Sequence, residues 1–156
     1  MDGALRITGP VQRREDELEA VLRTLPGWFG IERSLLAYAR DTSILPTFVA
    51  ESGERPLGFI SLRQHFRASW EVNCMAVAAP ARGSGIGSAL LEHAEAWLLA
   101  QGARYLEVKT LAASHPSPEY GQTRAFYEAR GFLPLEILPL HWSASNPCLV
   151  MLKALG

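Results

Sequence analysis

Residues 80–92, PARGSGIGSALLE, set a proline, an arginine and three alternate glycines directly ahead of an apolar run. The chain must therefore turn sharply out of the strand-like ASWEVNCMAVA (68–78) and enter a helix at once. Over 85–101 that helix carries Ile86, Leu90, Ala94, Trp97 and Leu98 on one face, with Glu92, Glu95 and Gln101 off it, and Gly102 stops it. Two readings of the glycines are open on this stretch. They supply a turn whose unusual φ angles need glycine, or they cradle a phosphate group. The first helical turn has orphan N–H groups at the positive end of the macrodipole, and glycine lets an anion approach the backbone. Spacing narrows the second reading. A GxGxxG dinucleotide fingerprint starting at Gly83 and Gly85 meets Ser88 where its third glycine belongs, and no acidic residue about 20 positions on ends a second parallel strand. A Walker A loop needs a lysine after the glycines, and none follows. What remains is RxxGxG, made by Arg82, Gly85 and Gly87, with Arg82 adding positive charge.

Composition excludes several function classes. A chain of 156 residues supports one domain, 1–156, with 48% apolar and 20% charged residues spread evenly, as in a folded globule. The net charge of -1 offers no basic field for a nucleic acid backbone. The N-terminal MDGALRITGP lacks a signal-peptide core, and no run approaches the roughly 18 apolar residues of a membrane span. A soluble cytoplasmic protein without membrane or nucleic acid partners is expected. Cys74 and Cys148 both sit in apolar strand-like stretches, which suits buried reduced thiols. No two Cys or His residues show ligand spacing, so no metal is expected.

The remaining elements follow from periodicity and breakers. ALRITG (4–9) reads as a strand, and residues 11–25 as a helix with Val11, Leu18, Val21, Leu22 and Leu25 on its apolar face, ended by Pro26 and Gly27. A second helix over 28–40 precedes a hairpin of TFVAE (47–51) and LGFISLRQHF (57–66). After the glycine-led helix come a strand at 103–111, a Pro-rich loop AASHPSPEYG (112–121), a helix at 123–130 closed by Gly131, and strands around 135–140 and 148–153. The order βααβββαβαββ predicts an α+β (mixed α/β) fold, with helices on a mostly antiparallel sheet.

EVNCMAVAAPARGSGIGSALL resembles the strand-then-helix signature of the GNAT superfamily of acyl-CoA N-acyltransferases, and TRAFYEARGF resembles its next helix. The element order matches along essentially the whole chain, and the two motifs lie between residues 71 and 132. The resemblance implies that main-chain amides of Arg82, Gly83, Ser84, Gly85, Ile86, Gly87 and Ser88 wrap the coenzyme A pyrophosphate. It also implies that Met75, Ala76 and Val77 pair with the pantetheine arm, one of whose neighbouring amides holds the oxyanion. Tyr127 matches the tyrosine that protonates the departing thiolate, beside Phe126, which is left to the core. With reference values of about 10 for tyrosine and about 8.5 for a thiol, that transfer is uphill by roughly 2 kcal/mol.

Glu71 lies six positions before Val77, as in family members whose strand glutamate is a general base acting through water. A solvated carboxylate at a strand end fits its sequence position equally well. Strand alternation puts Glu71, Asn73 and Met75 on one face. In one place the chain departs from the family: Tyr120 replaces a common asparagine and Thr123 a common alanine, so contacts to the coenzyme would come from hydroxyls. His115, in the loop SHPSPEY, and Trp28, Phe29 and Tyr38 near the second helix are further acceptor-side candidates, though core packing accounts for most of these aromatics. Cys74 lacks an activating base nearby in sequence and is not expected to carry an acyl group.

The resemblance therefore implies an acetyl-CoA-dependent N-acetyltransferase without metal, in which a primary amine, expected to be a small molecule, attacks the thioester directly in a ternary complex. A protein N-terminal or lysine acetyltransferase, a non-catalytic acyl-CoA-binding or sensing module, and a coenzyme-free interaction domain are the alternatives. A homodimer through the C-terminal strand is also open.

Overall fold

The computed structural model describes residues 4–11 and 14–156. The elements run in the order βααβββαβαββ, as expected, with seven strands and four α-helices among the described residues. They fall into two compact units, Met1–Arg63 with Val72–Gln101, and Gln64–Glu71 with Gly102–Gly156.

In the first unit β1 (Leu5–Val11), β2 (Thr47–Ser52), β3 (Arg55–Phe66, as far as Arg63) and β4 (Ser69–Val77, from Val72) lie side by side in that order. β1–β2 and β2–β3 are antiparallel, with Ile7 opposite Ala50 and Val49 opposite Phe59. Helix α1 (Glu15–Arg23) buries Leu18, Val21 and Leu22, and α2 (Glu32–Asp41) buries Leu35 and Ala39. This 3–4 spacing makes a stripe that packs with Val49, Phe59, Cys74 and Ala76. Each full-sized aliphatic side chain so buried stabilises by about 1.5–3 kcal/mol. Helix α3 (Ile86–Ala100) meets β2, where the Phe48 ring packs edge-on against His93 and Trp97.

In the second unit β5 (Tyr105–Leu111), β7 (Asn146–Ala154) and β6 (Leu133–Ser143) form antiparallel pairs, β5 with β7 and β7 with β6. The carbonyl of Ala68 accepts from the N–H groups of Arg104 (2.8 Å) and Tyr105 (3.0 Å), which sets the chain entering β5 beside the start of β4. Helix α4 (Pro118–Ala129) packs on β5. Leu106, Val108, Phe132, Cys148, Val150 and Met151 are buried here.

The boundaries differ from expectation for identifiable reasons. Val11 belongs to β1, opposite Thr47, and not to the first helix. That helix starts only at Glu15, where Glu15, Asp16 and Glu17 fill the first turn and complement its positive end; residues 12–13 of the expected span lie outside the described residues. The second helix begins at Glu32 rather than 28, because Gly27 and Gly30 favour a turn through Trp28. The fourth helix begins inside the expected loop. Ser117 caps it, accepting from the Tyr120 N–H (3.3 Å), and Pro118 takes the first helical position, where its missing N–H costs nothing.

Candidate functional site

The first unit carries the glycine turn and the strand before it. β4 ends at Val77 and a 3-10 turn, Ala79–Ala81, leads to Arg82. Gly83 and Gly85 take φ values of 82° and 84°, a region that residues with a Cβ enter only under strain, and a Cβ on either would meet open space. The glycines are therefore required by backbone conformation and not by crowding. Gly85 is the N-cap of α3, no side chain caps that end, and the first turn holds no acidic residue. The Ser84 hydroxyl donates back to the Ala81 carbonyl and tightens the turn. Ile86 is buried and anchors the helix start, while Arg82 to Gly85 are exposed.

Arg82 has no carboxylate partner among the described residues, and its guanidinium lies over the Trp28 ring, 4.3 Å from the centroid. Thr24, which follows α1, reaches the same segment by accepting from the Ala79 N–H (3.0 Å).

Asn73 accepts from Arg63 (3.2 and 3.3 Å) and donates to Asp41 (3.1 Å) at the end of α2. Cys74, the next residue, packs in the same α1–α2 core and feels the Asp41 charge. Neighbours on a regular strand point to opposite faces. Burial along β4 follows that alternation from Ser69 to Val77, with Glu71, Asn73 and Met75 half-buried between the buried Val72, Cys74 and Ala76, the pattern of one shared strand face as expected. Ala76 is buried, and Met75 and Val77 are half-buried.

The second unit carries Glu71, Tyr120, Thr123 and Tyr127. Tyr127 is 4% exposed, and its ring sits edge-on to Phe126 (5.2 Å) and Phe132 (5.1 Å). Phe126 is half-buried beneath the Arg130 guanidinium, 3.8 Å from the ring centroid, and is not the core residue expected. Thr123 donates its hydroxyl to the Glu119 carbonyl one turn back (3.3 Å). His115 is half-buried, and its Nδ1 is enclosed without a hydrogen-bond partner.

Glu71 is not a solvated strand-end carboxylate, since its side chain is only 12% exposed and both oxygens are engaged. Oε1 lies 2.7 Å from His65 Nε2, and Lys109 donates to Oε2 at 3.2 Å and to Glu107 at 2.7 Å. An ionised carboxylate only accepts, so the hydrogen of this His65 bond is assigned to Nε2. Burial by itself would lower the Lys109 pKa. The hydrogen bond to Glu107 and the charges of Glu71 and Glu107 outweigh it, so the ammonium is held above the usual lysine range. His65, Glu71 and Glu107 also offer ligand atoms within 4.8 Å of one another, a grouping that linear spacing hides. The Lys109 ammonium already bonds both carboxylates there, so a metal ion would have to displace it. The turn at Arg67–Ala68 makes the His65–Glu71 approach legible in the sequence. Nothing in the sequence pointed to Lys109 and Glu107.

Both thiols are buried, and burial pushes the pKa of Cys74, and less strongly that of Cys148, above the usual thiol range. Neither is poised as a nucleophile. A disulfide thiol reagent at pH 8 is expected to label neither cysteine in the native protein and both after unfolding in guanidinium. Fast labelling of native Cys74 would revive an acyl carrier.

The comparisons with known proteins bear on this arrangement. The family model for the Acetyltransferase (GNAT) family matches residues 14–132. No curated protein matches the chain by sequence. Among solved structures, a protein from Desulfovibrio desulfuricans assigned to the GNAT acetyltransferases superposes with a TM-score of 0.84 at 17% identity, covering 98% of this chain and 100% of that one. An aminoglycoside 6'-N-acetyltransferase complexed with coenzyme A gives 0.74 at 20% identity, with 96% of each chain covered. The ribosomal-protein-S18-alanine N-acetyltransferase from Escherichia coli gives 0.75 at 17% identity, over 98% of this chain and 95% of that one. These likenesses carry the fold. The family match spans more than half the chain and both signature motifs, and on that ground the chain belongs to the GNAT family of acetyl-CoA-dependent N-acetyltransferases.

Proposed function

We propose that this chain transfers the acetyl group of acetyl-CoA to a small-molecule primary amine by direct attack in a ternary complex, as one acetyltransferase domain over 1–156. The observation that carries the coenzyme part is the start of α3. Gly85 opens the helix in the left-handed region, no side chain or acid occupies its positive end, and the Arg82 cation stands beside it without a carboxylate. A pyrophosphate complements all three features. Main-chain groups of Met75, Ala76 and Val77 receive the pantetheine arm, those of Arg82 to Ser88 receive the phosphates, and Tyr120 and Thr123 stand on α4 as further coenzyme contacts.

The chemistry asks for a neutral amine, an oxyanion stabiliser and a proton for the thiolate. A lysine-like amine of pKa about 10.4 costs roughly 4.6 kcal/mol to reach the neutral form at pH 7, whereas an α-amine near 8 costs about 1.4 kcal/mol. Glu71 takes that proton through water. His65 and Lys109 hold its two oxygens, and a carboxylate has about four lone-pair sites, so acceptor capacity remains. Tyr127 supplies the thiolate proton from a ring fixed between Phe126 and Phe132.

Small-molecule acceptance draws on the aminoglycoside enzymes among the structural neighbours, and the alanine N-acetyltransferase among them keeps a protein acceptor in view. A panel of polyamines, amino acids, aminoglycosides and N-terminal peptides, read by thiol release, tests it. Turnover of a small amine is the expected result. Release with peptides alone would replace the acceptor class, and coenzyme binding without release would make the chain a binding module. The C-terminal strand β7 is paired on both sides, with β5 and β6, so the homodimer of this reading moves from β7 to β6, where Leu133, Leu135, Ile137, Leu140 and Trp142 are exposed.

A further inference from the structure

Arg82 and Trp28 are 54 positions apart, yet the guanidinium lies 4.3 Å from the indole ring centroid. The contact is not isolated. Thr24, four residues before Trp28, accepts from the Ala79 N–H at 3.0 Å while its hydroxyl donates to the Val21 carbonyl at 2.7 Å. Trp28 itself packs against the buried α1–α2 core, and so does Ala78. The segment after α1 thus grips both ends of 79–82, one end by a hydrogen bond and the other by the face of a ring.

This geometry has a chemical consequence. A guanidinium is planar, with its five N–H donors in the plane. An aromatic ring attracts its face and leaves the donors at its edge available. Among the described residues no carboxylate competes for those donors. An arginine on an exposed glycine turn otherwise samples many rotamers, and fixing them costs entropy when a ligand binds. The ring meets that cost before the ligand arrives.

We infer that Trp28 is a positioning residue for the coenzyme: it holds Arg82 so that the guanidinium edge, with the amides at the start of α3, meets the pyrophosphate. The inference rests on the coenzyme site proposed above and assigns Trp28 to that ligand, not to the amine pocket.

The test is calorimetric titration of the full chain with coenzyme A in a two-by-two set, Trp28→Leu and Arg82→Gln singly and together, with Trp28→Phe alongside. Trp28→Leu is expected to weaken coenzyme A binding about two- to fivefold, the range of an exposed cation–π contact. Trp28→Phe should restore most of the affinity, because a ring face is all that the role needs. In the Arg82→Gln background, Trp28→Leu should cause no further loss. With the amine found by the panel, the effect should fall on the KM for acetyl-CoA and leave kcat unchanged. An equal loss in both backgrounds would mean that Trp28 acts through general packing, which overturns the inference, as would full affinity in Trp28→Leu. If the unsubstituted chain fails to bind coenzyme A, the site reading falls first and takes this inference with it. A bound wild type with uncoupled variants sinks the inference alone.

Discussion

Tyr127→Phe is expected to lower kcat by about 100-fold or more while coenzyme A binds with unchanged affinity. The substitution removes one hydroxyl and keeps the ring between Phe126 and Phe132, so the buried packing around it survives. A phenol near pKa 10 gives its proton to a thiolate near 8.5 only with a deficit of roughly 2 kcal/mol. Its contribution therefore depends on holding the hydroxyl at the sulfur as negative charge develops there. Such a contact exists in the transition state and not in the bound thioester, which is why kcat should fall and Kd should not. Steady-state kinetics with calorimetry separates the two quantities. Unchanged kcat would remove the assigned role, and a parallel loss of affinity would recast Tyr127 as a binding group.

Glu71→Gln gives the second large effect, and its size should depend on pH. The variant keeps the shape of the side chain, and Lys109 retains Glu107 at 2.7 Å, so the cluster loses one negative charge and one of the two hydrogen bonds that Glu71 accepts. For an acceptor of lysine-like basicity, kcat/KM at pH 7 should fall by about 100-fold, within the usual range for general-base catalysis. The deficit should close as pH approaches about 10.4, where the amine loses its proton to solvent. With an α-amine near pKa 8 the loss should be smaller and should close correspondingly earlier. Parallel pH profiles for variant and wild type would show that Glu71 organises His65 and Lys109 without taking a proton.

Much of the fold was legible in the sequence. The apolar spacing of Leu18, Val21 and Leu22 gave α1 its buried stripe, and Gly102 and Gly131 follow the ends of α3 and α4. The misplaced boundaries have different causes. Val11 suits either a helix or a strand locally, and Thr47 across β1–β2 decided for the strand. In SPEY, by contrast, the capping serine and first-position proline were a readable helix start inside what resembled a loop.

The candidate site divides in the same way. The glycine turn and Tyr127 were legible because they rest on local demands: positive φ at Gly83 and Gly85, and one helix face carrying a tyrosine ahead of Gly131. The link from Glu71 to Lys109, and through it to Glu107, was not, because both residues come from another strand more than 30 positions away. Nor was the stacking of Trp28 on Arg82.

By itself, the sequence determined the element order, the helix faces and the glycine-opened start of α3, because periodicity and backbone sterics act over a few neighbouring residues. Only the tertiary structure decided which charges share a cluster and which ring lies under Arg82. Those contacts join segments tens of residues apart, and their energies depend on distance and burial, which no local pattern encodes.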